Sequence, residues 1–343
     1  MGCCSSWLDD IDIETKDTKK NNELLYQEIL VQGSTPNVET DLENSCVLEY
    51  KFLKEIGKGA MSHVYVVENQ NTKDHFAAKV YNTPQLYRQS FGEEPLYMAI
   101  NRQIDVLSKV PHRYILSIIE VIDMPNSYII IMPYAQNGTL QSQIINKTIS
   151  YESILICFHQ VAEALRVLHA NNIVHRDVKP DNILSFTEEY FVISDLSDSY
   201  ELQSADQMLC DTKGSPAFLS PEECSGNPFY PKQTDVWSYG VSLYFAIFGY
   251  LPFNLQKAQG ITLANTIIIV TQLLEKEELE FGDDVQLDPS LKLLLEGTLN
   301  KDPSKRPTFE EIVKYECFKD AWAIDKANIL QERLLEEEEE NNT

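Results

Sequence analysis

The chain has 343 residues, 43% of them apolar, and carries 53 acidic side chains against 28 lysines and arginines, for a formal charge of −25. That length fills one large domain with short extensions, and the charge excludes a nucleic-acid surface, which needs clustered lysine or arginine. No apolar run reaches the roughly 18 residues a membrane span needs. The seven cysteines and six histidines follow neither a disulfide framework nor metal-ligand spacing, so a reduced, cytoplasmic setting is expected.

At the start, Met1-Gly2-Cys3-Cys4-Ser5-Ser6 satisfies the N-myristoylation pattern, with Gly2 as the acceptor and Cys3 and Cys4 as palmitoylation candidates. One myristoyl chain binds membranes only marginally, so a second acyl chain is needed for stable attachment. Ten acidic residues against three lysines between Asp9 and Glu43 supply no polybasic signal, so acylation alone must hold the chain to the cytoplasmic face of a membrane. Residues 1–47 therefore read as a lipid-anchor signal and an acidic flexible tether, with a short helix around Leu24 to Val31.

From residue 48 the pattern becomes that of a folded domain. Ile56-Gly57-Lys58-Gly59-Ala60-Met61-Ser62-His63-Val64 lies between two β-rich stretches and predicts a glycine-rich turn joining two strands. Phe76-Ala77-Ala78-Lys79-Val80 follows with strand composition and places Lys79 on a third strand. Further on, His175-Arg176-Asp177-Val178-Lys179-Pro180-Asp181-Asn182 gathers a carboxylate, an ammonium and an amide in one short loop, in the order that phosphoryl transfer uses. Asp195-Leu196-Ser197, Gly214 to Glu222, Asp235 to Gly240 and Arg306 complete the series. Ile324 to Leu335 predicts a last helix, and Glu336 to Glu340 reads as solvated disorder, making 321–343 an acidic C-terminal tail.

In this order and spacing the motifs resemble those of eukaryotic protein kinases over about residues 48–320. Lys179 and Ser215 resemble the serine/threonine class. Gly214 to Phe218, Asp235 to Tyr244 and Phe248 to Phe253 resemble the calcium/calmodulin-dependent kinase kinases and related activators of AMP-activated-type kinases. The resemblance implies an α+β, protein-kinase-like two-lobed fold. A small lobe of antiparallel strands with one helix would span 48–135 and a mainly helical lobe 136–320, with ATP between them.

It also implies the roles. Gly57 and Gly59 would let the loop from Ile56 to Val64 approach the ATP phosphates, and Ile56, Val64, Ala77 and Leu184 would wall the adenine pocket. Met132 would be the gatekeeper, and Ala135 the hinge residue that keeps both backbone groups beside Pro133. Lys79 would hold the α- and β-phosphates, and Asn182 and Asp195 would bind Mg2+. Asp177 would accept the substrate hydroxyl proton, while Lys179 offsets charge on the transferred group. The partners implied are protein substrates, other protein kinases among them, together with the membrane. No basic amphipathic helix follows residue 320, so calmodulin binding is not carried over.

Three positions modify this picture. Gln103 falls where the family has a glutamate that pairs with the lysine at Lys79, which forfeits a charge pairing. Ser197 replaces a glycine and restricts a hinge. These departures leave a pseudokinase or scaffold as the alternative to a kinase. In the activation segment, Asp211 stands three residues before Gly214, where many relatives carry a phosphorylatable threonine, and Thr212 is the nearest phosphorylation candidate; Asp211 is expected to serve Arg176 as a built-in acidic partner.

Overall fold

The structure is a computed structural model that describes residues 30–32, 42–59, 62–82, 96–124, 127–258, 263–282 and 286–342. These described residues divide into two compact units, one of those within 1–88, 107–109 and 118–132 and the other of those within 89–106, 110–117 and 133–343.

The first unit is a sheet. Its strands are β1 (Leu30–Gln32), β2 (Cys46–Val47), β3 (Tyr50–Lys58), β4 (Ser62–Asn69), β5 (His75–Asn82), β6 (Glu120–Met124) and β7 (Ser127–Pro133), in the spatial order β1-β6-β7-β5-β4-β3-β2. Pairing is antiparallel for β2/β3, β3/β4, β4/β5 and β6/β7, and parallel for β1/β6. β4 and β5 are rich in valine, phenylalanine and tyrosine, the side chains that pack well on a pleated surface. One face closes over a core of Leu42, Val47, Tyr50, Phe52, Tyr65, Val67, Ala78, Val80, Ile122, Met124, Ile129 and Ile131.

That core corrects two expectations. Leu42 and Val47 are buried in it, so the domain begins before residue 48 and the last residues assigned to the tether belong to the sheet. Leu30 and Val31 pair with Val121 and Ile122 as a strand instead of continuing a helix; residues 24–29 lie outside the described residues, as do Gly2, Cys3 and Cys4.

The second unit is mainly helical, as the α+β class requires. Helix α1 (Leu96–Lys109) groups with it up to Val106, although the sequence placed this helix in the small lobe. α2 (Leu140–Asn146) and α3 (Tyr151–Ala170) follow, N-capped by the Thr139 and Ser150 side chains. The short strands β8 (Ile173–Val174), β9 (Ile183–Ser185), β10 (Phe191–Ile193) and β11 (Tyr200–Glu201) pair as β9/β10 and β8/β11. After them come α4 (Pro221–Cys224), α5 (Pro231–Phe248), α6 (Leu263–Lys276), α7 (Pro289–Thr298), α8 (Phe309–Ile312) and α9 (Lys319–Asn342).

The centre of this unit is α5, buried along most of its length, with proline at its first turn and Gly249 closing it at φ 75°. The Tyr239 ring meets Phe158 and Phe309 edge-on, and its hydroxyl donates to the Phe158 carbonyl. Gly240 has Thr298 of α7 so close that a methyl group there would collide with it.

α9 runs unbroken through the glutamate run expected to be irregular. Its first turns are part of the domain. Ala321 and Asp325 are buried, and the Asp325 carboxylate bonds Nδ1 of His159 at 2.8 Å and accepts from Nε2 of Gln160 at 2.6 Å. The boundary placed at residue 320 therefore falls too early.

Candidate active site

In the sheet unit the glycine-rich segment forms the end of β3 and the start of β4, closed by a hydrogen bond from the Gly59 N–H to the Ser62 carbonyl. The register puts Gly57 opposite Val64, and Val64 opposite Lys79. Three residues from two motifs thus lie on one line across three strands. Ser62 and Ala77 are buried, Val64 and Lys79 half-buried, and Ile56, Lys58 and Gly59 exposed. His63 contacts Glu55 at 3.1 Å, and Lys79 also lies 5.5 Å from the Tyr81 ring centre. Met132 is buried at the end of β7. Ala60 and Met61 lie outside the described residues.

In the helical unit the loop 175–182 hangs from one buried carboxylate. Asp235 of α5 accepts the backbone N–H of His175 at 2.9 Å and that of Arg176 at 2.8 Å, and bonds Nε2 of His169 at 2.8 Å. Burial acts to raise the Asp235 carboxyl, but the hydrogen bond and charge of His169 and those of His175 outweigh it and hold it below the ordinary carboxylate range. This clamp holds Arg176 at φ 69°, in the left-handed region a non-glycine residue rarely adopts. His175 supports the next residue. Its Nε2 faces the Ser194 carbonyl, which can only accept, so Nδ1 is free to accept the Asp177 N–H at 3.2 Å.

Asp177 is then fixed from three sides. Its Oδ2 meets Nζ of Lys179 at 2.6 Å and Nδ2 of Asn182 at 2.9 Å, and its Oδ1 accepts the Ser215 N–H at 3.0 Å. Lys179 also donates to Oγ of Ser215 at 2.6 Å. Gly214, at φ 91°, lies against the Arg176 carbonyl where no Cβ fits, which is what allows Ser215 to approach. Four residues from two distant motifs, Asp177, Lys179, Asn182 and Ser215, therefore share one hydrogen-bonded cluster.

Asn182 uses Nδ2 on the carbonyl and carboxylate of Asp177, which leaves Oδ1 as the end available to a cation. Asp195 is brought to it through its neighbour, since both N–H and Oγ of Ser194 donate to the Asn182 carbonyl, at 2.7 and 2.9 Å. Among the described residues no group of three His, Cys, Asp or Glu side chains closes on a point. Two oxygen donors suit a hard cation that keeps waters and phosphate oxygens as its other ligands. Leu184 pairs with Val192 in β9/β10 and bridges to Thr139, while Ala135 is buried beside the same turn and its carbonyl accepts from Gly138.

Of the activation-segment candidates, Asp211 meets Nη2 of Arg176 at 3.0 Å, and Oγ1 of Thr212 donates to the Glu223 carbonyl at 3.1 Å. Gln103 is buried in α1 with no partner for its Oε1 among the described residues, while its neighbour Arg102 donates to the Ser197 carbonyl at 2.9 Å.

Several of these residues carry no motif. Asp198 is half-buried, and burial followed by the charge of Asp177 raises its carboxyl above the ordinary value. Ser194 and Arg102 act through the backbone of others, a role with no sequence signature.

A family model described as protein kinase domain matches residues 50–318. A probable serine/threonine-protein kinase of Dictyostelium discoideum is 30% identical over 292 residues, covering 83% of this chain and 40% of the relative. The calcium/calmodulin-dependent protein kinase kinase of Caenorhabditis elegans is 28% identical over 287 residues, covering 77% and 51%. CBL-interacting protein kinase 11 of rice is 28% identical over 282 residues, covering 81% and 53%. The chain thus spans about half the length of these relatives or less. With a family match over most of its length and the loop cluster around Asp177 assembled as that family's motifs require, the chain belongs to the protein kinase family.

Proposed function

We propose that the chain is an ATP-dependent protein serine/threonine kinase that transfers the γ-phosphate to protein hydroxyl groups. The observation that carries this reading is the cluster in which Lys179, Asn182 and the Ser215 N–H converge on the Asp177 carboxylate. Phosphoryl transfer asks a protein chiefly to position groups and compensate charge, and this cluster does both. Asp177 orients the acceptor hydroxyl and takes its proton. Lys179, held between Asp177 and Ser215, offsets charge on the phosphoryl group. Asn182 and Asp195 would hold Mg2+, which would offset charge on the phosphates, while Lys79 and the backbone from Ile56 to Val64 would receive the phosphates. Purified full-length chain is incubated with ATP, Mg2+ and a basic protein acceptor beside an Asp195→Asn variant. Transfer lost in the variant supports the reading, and equal incorporation in both refutes it.

A second reading follows from the buried Oε1 of Gln103, which has no partner among the described residues and offers no charge where the family places a glutamate. In this reading the fold binds nucleotide or partners without transfer. Nucleotide binding with no incorporation in the same assay identifies it.

We further infer, from the Met1–Ser6 pattern alone, that acylation at Gly2 and at Cys3 or Cys4 attaches the chain to a cytoplasmic membrane face. Full-length chain expressed in eukaryotic cells enters the membrane fraction and Gly2→Ala leaves it; an unchanged distribution contradicts the inference.

A further inference from the structure

Activation segments are commonly ordered by a phosphate that neutralises an arginine. The Arg176 side chain is 4% exposed, and a cation taken out of water needs an anionic or acceptor partner. Its direction is imposed by the backbone, because Asp235 holds Arg176 at φ 69° through its N–H. The side-chain partner it meets is Asp211, through both the carbonyl and the carboxylate. The neighbouring hydroxyl of Thr212 is turned the other way, toward the Glu223 carbonyl. At the start of the same segment, Arg102 of α1 donates to the Ser197 carbonyl. At its end, Ser215 is held by Asp177 and Lys179.

We propose that Asp211 and Arg102 are positioning residues, and that with them the segment from Asp195 to Ser215 is ordered by the chain's own side chains and needs no phosphate. The proposal rests on the phosphoryl-transfer reading for its effect on rate, but the order itself is a property of the fold. Asp211 supplies fixed negative charge where a switchable group would otherwise be required. Arg102 ties α1 to the segment by a hydrogen bond that does not involve the glutamate replaced by Gln103.

The test uses full-length chain treated with a protein phosphatase and shown by mass spectrometry to carry no phosphate on residues 195–215. Dephosphorylated chain keeps its kcat on a basic protein acceptor within about twofold. Asp211→Ala and Asp211→Asn each lower kcat by about tenfold, the range for losing a charge-assisted contact to a buried guanidinium, with little change in KM for ATP; Asp211→Glu restores most of it. Arg102→Ala lowers kcat in the same sense. Trypsin cleavage after Lys213, measured without ATP, is slow in dephosphorylated wild type and several-fold faster in Asp211→Ala. If dephosphorylation removes activity, or Asp211→Ala matches wild type in both rate and cleavage, the proposal is overturned. If wild type transfers no phosphate at all, the phosphoryl-transfer reading fails, and the cleavage comparison still decides whether Asp211 orders the segment.

Discussion

Glu222 and Arg306, 84 residues apart, form a two-pronged pair with N–O distances of 2.6 and 2.8 Å, and the Arg306 side chain is fully enclosed. Arg306 also donates to the carbonyls of Asn300 and Gln233 and lies 4.9 Å from the Trp237 ring centre. One guanidinium thus ties α4 and α5 to the turn before α8. Removing one partner leaves the other charge buried, which costs about 3–5 kcal/mol. Glu222→Ala and Arg306→Ala are each expected to lower unfolding stability by that amount in urea titrations, and the double variant by much less than the sum.

Glu223 and His112 impose opposite pH dependences. Burial pushes the Glu223 carboxyl up to about 7 against its ordinary 4.5, although Ser220 donates to it from both N–H and Oγ. A raised acid favours the fold while protonated, so its contribution is full below pH 4.5 and is lost as pH rises through 7. Burial, then the charges of Arg166 and Arg113, push His112 down to about 4. Its contribution is present above pH 6.5 and is lost as pH falls toward 4. The stability of Glu223→Gln relative to wild type should therefore rise between pH 5 and pH 8, by on the order of 2–3 kcal/mol. Urea midpoints across that range read it, and a flat difference contradicts it.

The first turns of α9 should behave as core. Truncation after Asp320 removes the Asp325 carboxylate from His159 and Gln160, and Asp325→Ala removes it alone. Losing buried hydrogen bonds to a charged group costs about 1.5–3 kcal/mol. Both variants should show lower urea midpoints, the truncation more so because Ala321 packing goes as well.

The loop 175–182 and its partner Ser215 are legible in the sequence because the geometry restricts residue type: Asp177, Lys179 and Asn182 make hydrogen bonds few other side chains can, and Gly214 leaves the space a Cβ would fill. The turn at Gly57 and Gly59 and the strand that carries Lys79 are readable as turn and strand composition, while the register that aligns Gly57, Val64 and Lys79 comes from the pairing of the strands. What stayed hidden has no such restriction. Leu42 and Val47 are ordinary apolar residues at the edge of an acidic stretch, and β1 is held by pairing with a strand some ninety residues later. In sequence Asp325 is one more acid in a charged stretch, and only packing against α3 makes it a buried one. Arg102 and Ser194 work by bonding carbonyls, which every residue has.

In the proposed reaction Asp177 takes the acceptor's proton as well as tying the loop together. The direct measurement is kcat of Asp177→Asn on a basic protein acceptor, with ATP affinity determined on the same preparation. Loss of a positioned general base lowers kcat by about 10²–10⁴-fold, while ATP affinity stays within a few-fold of wild type because the phosphates are held elsewhere. A kcat within about threefold of wild type would contradict the account.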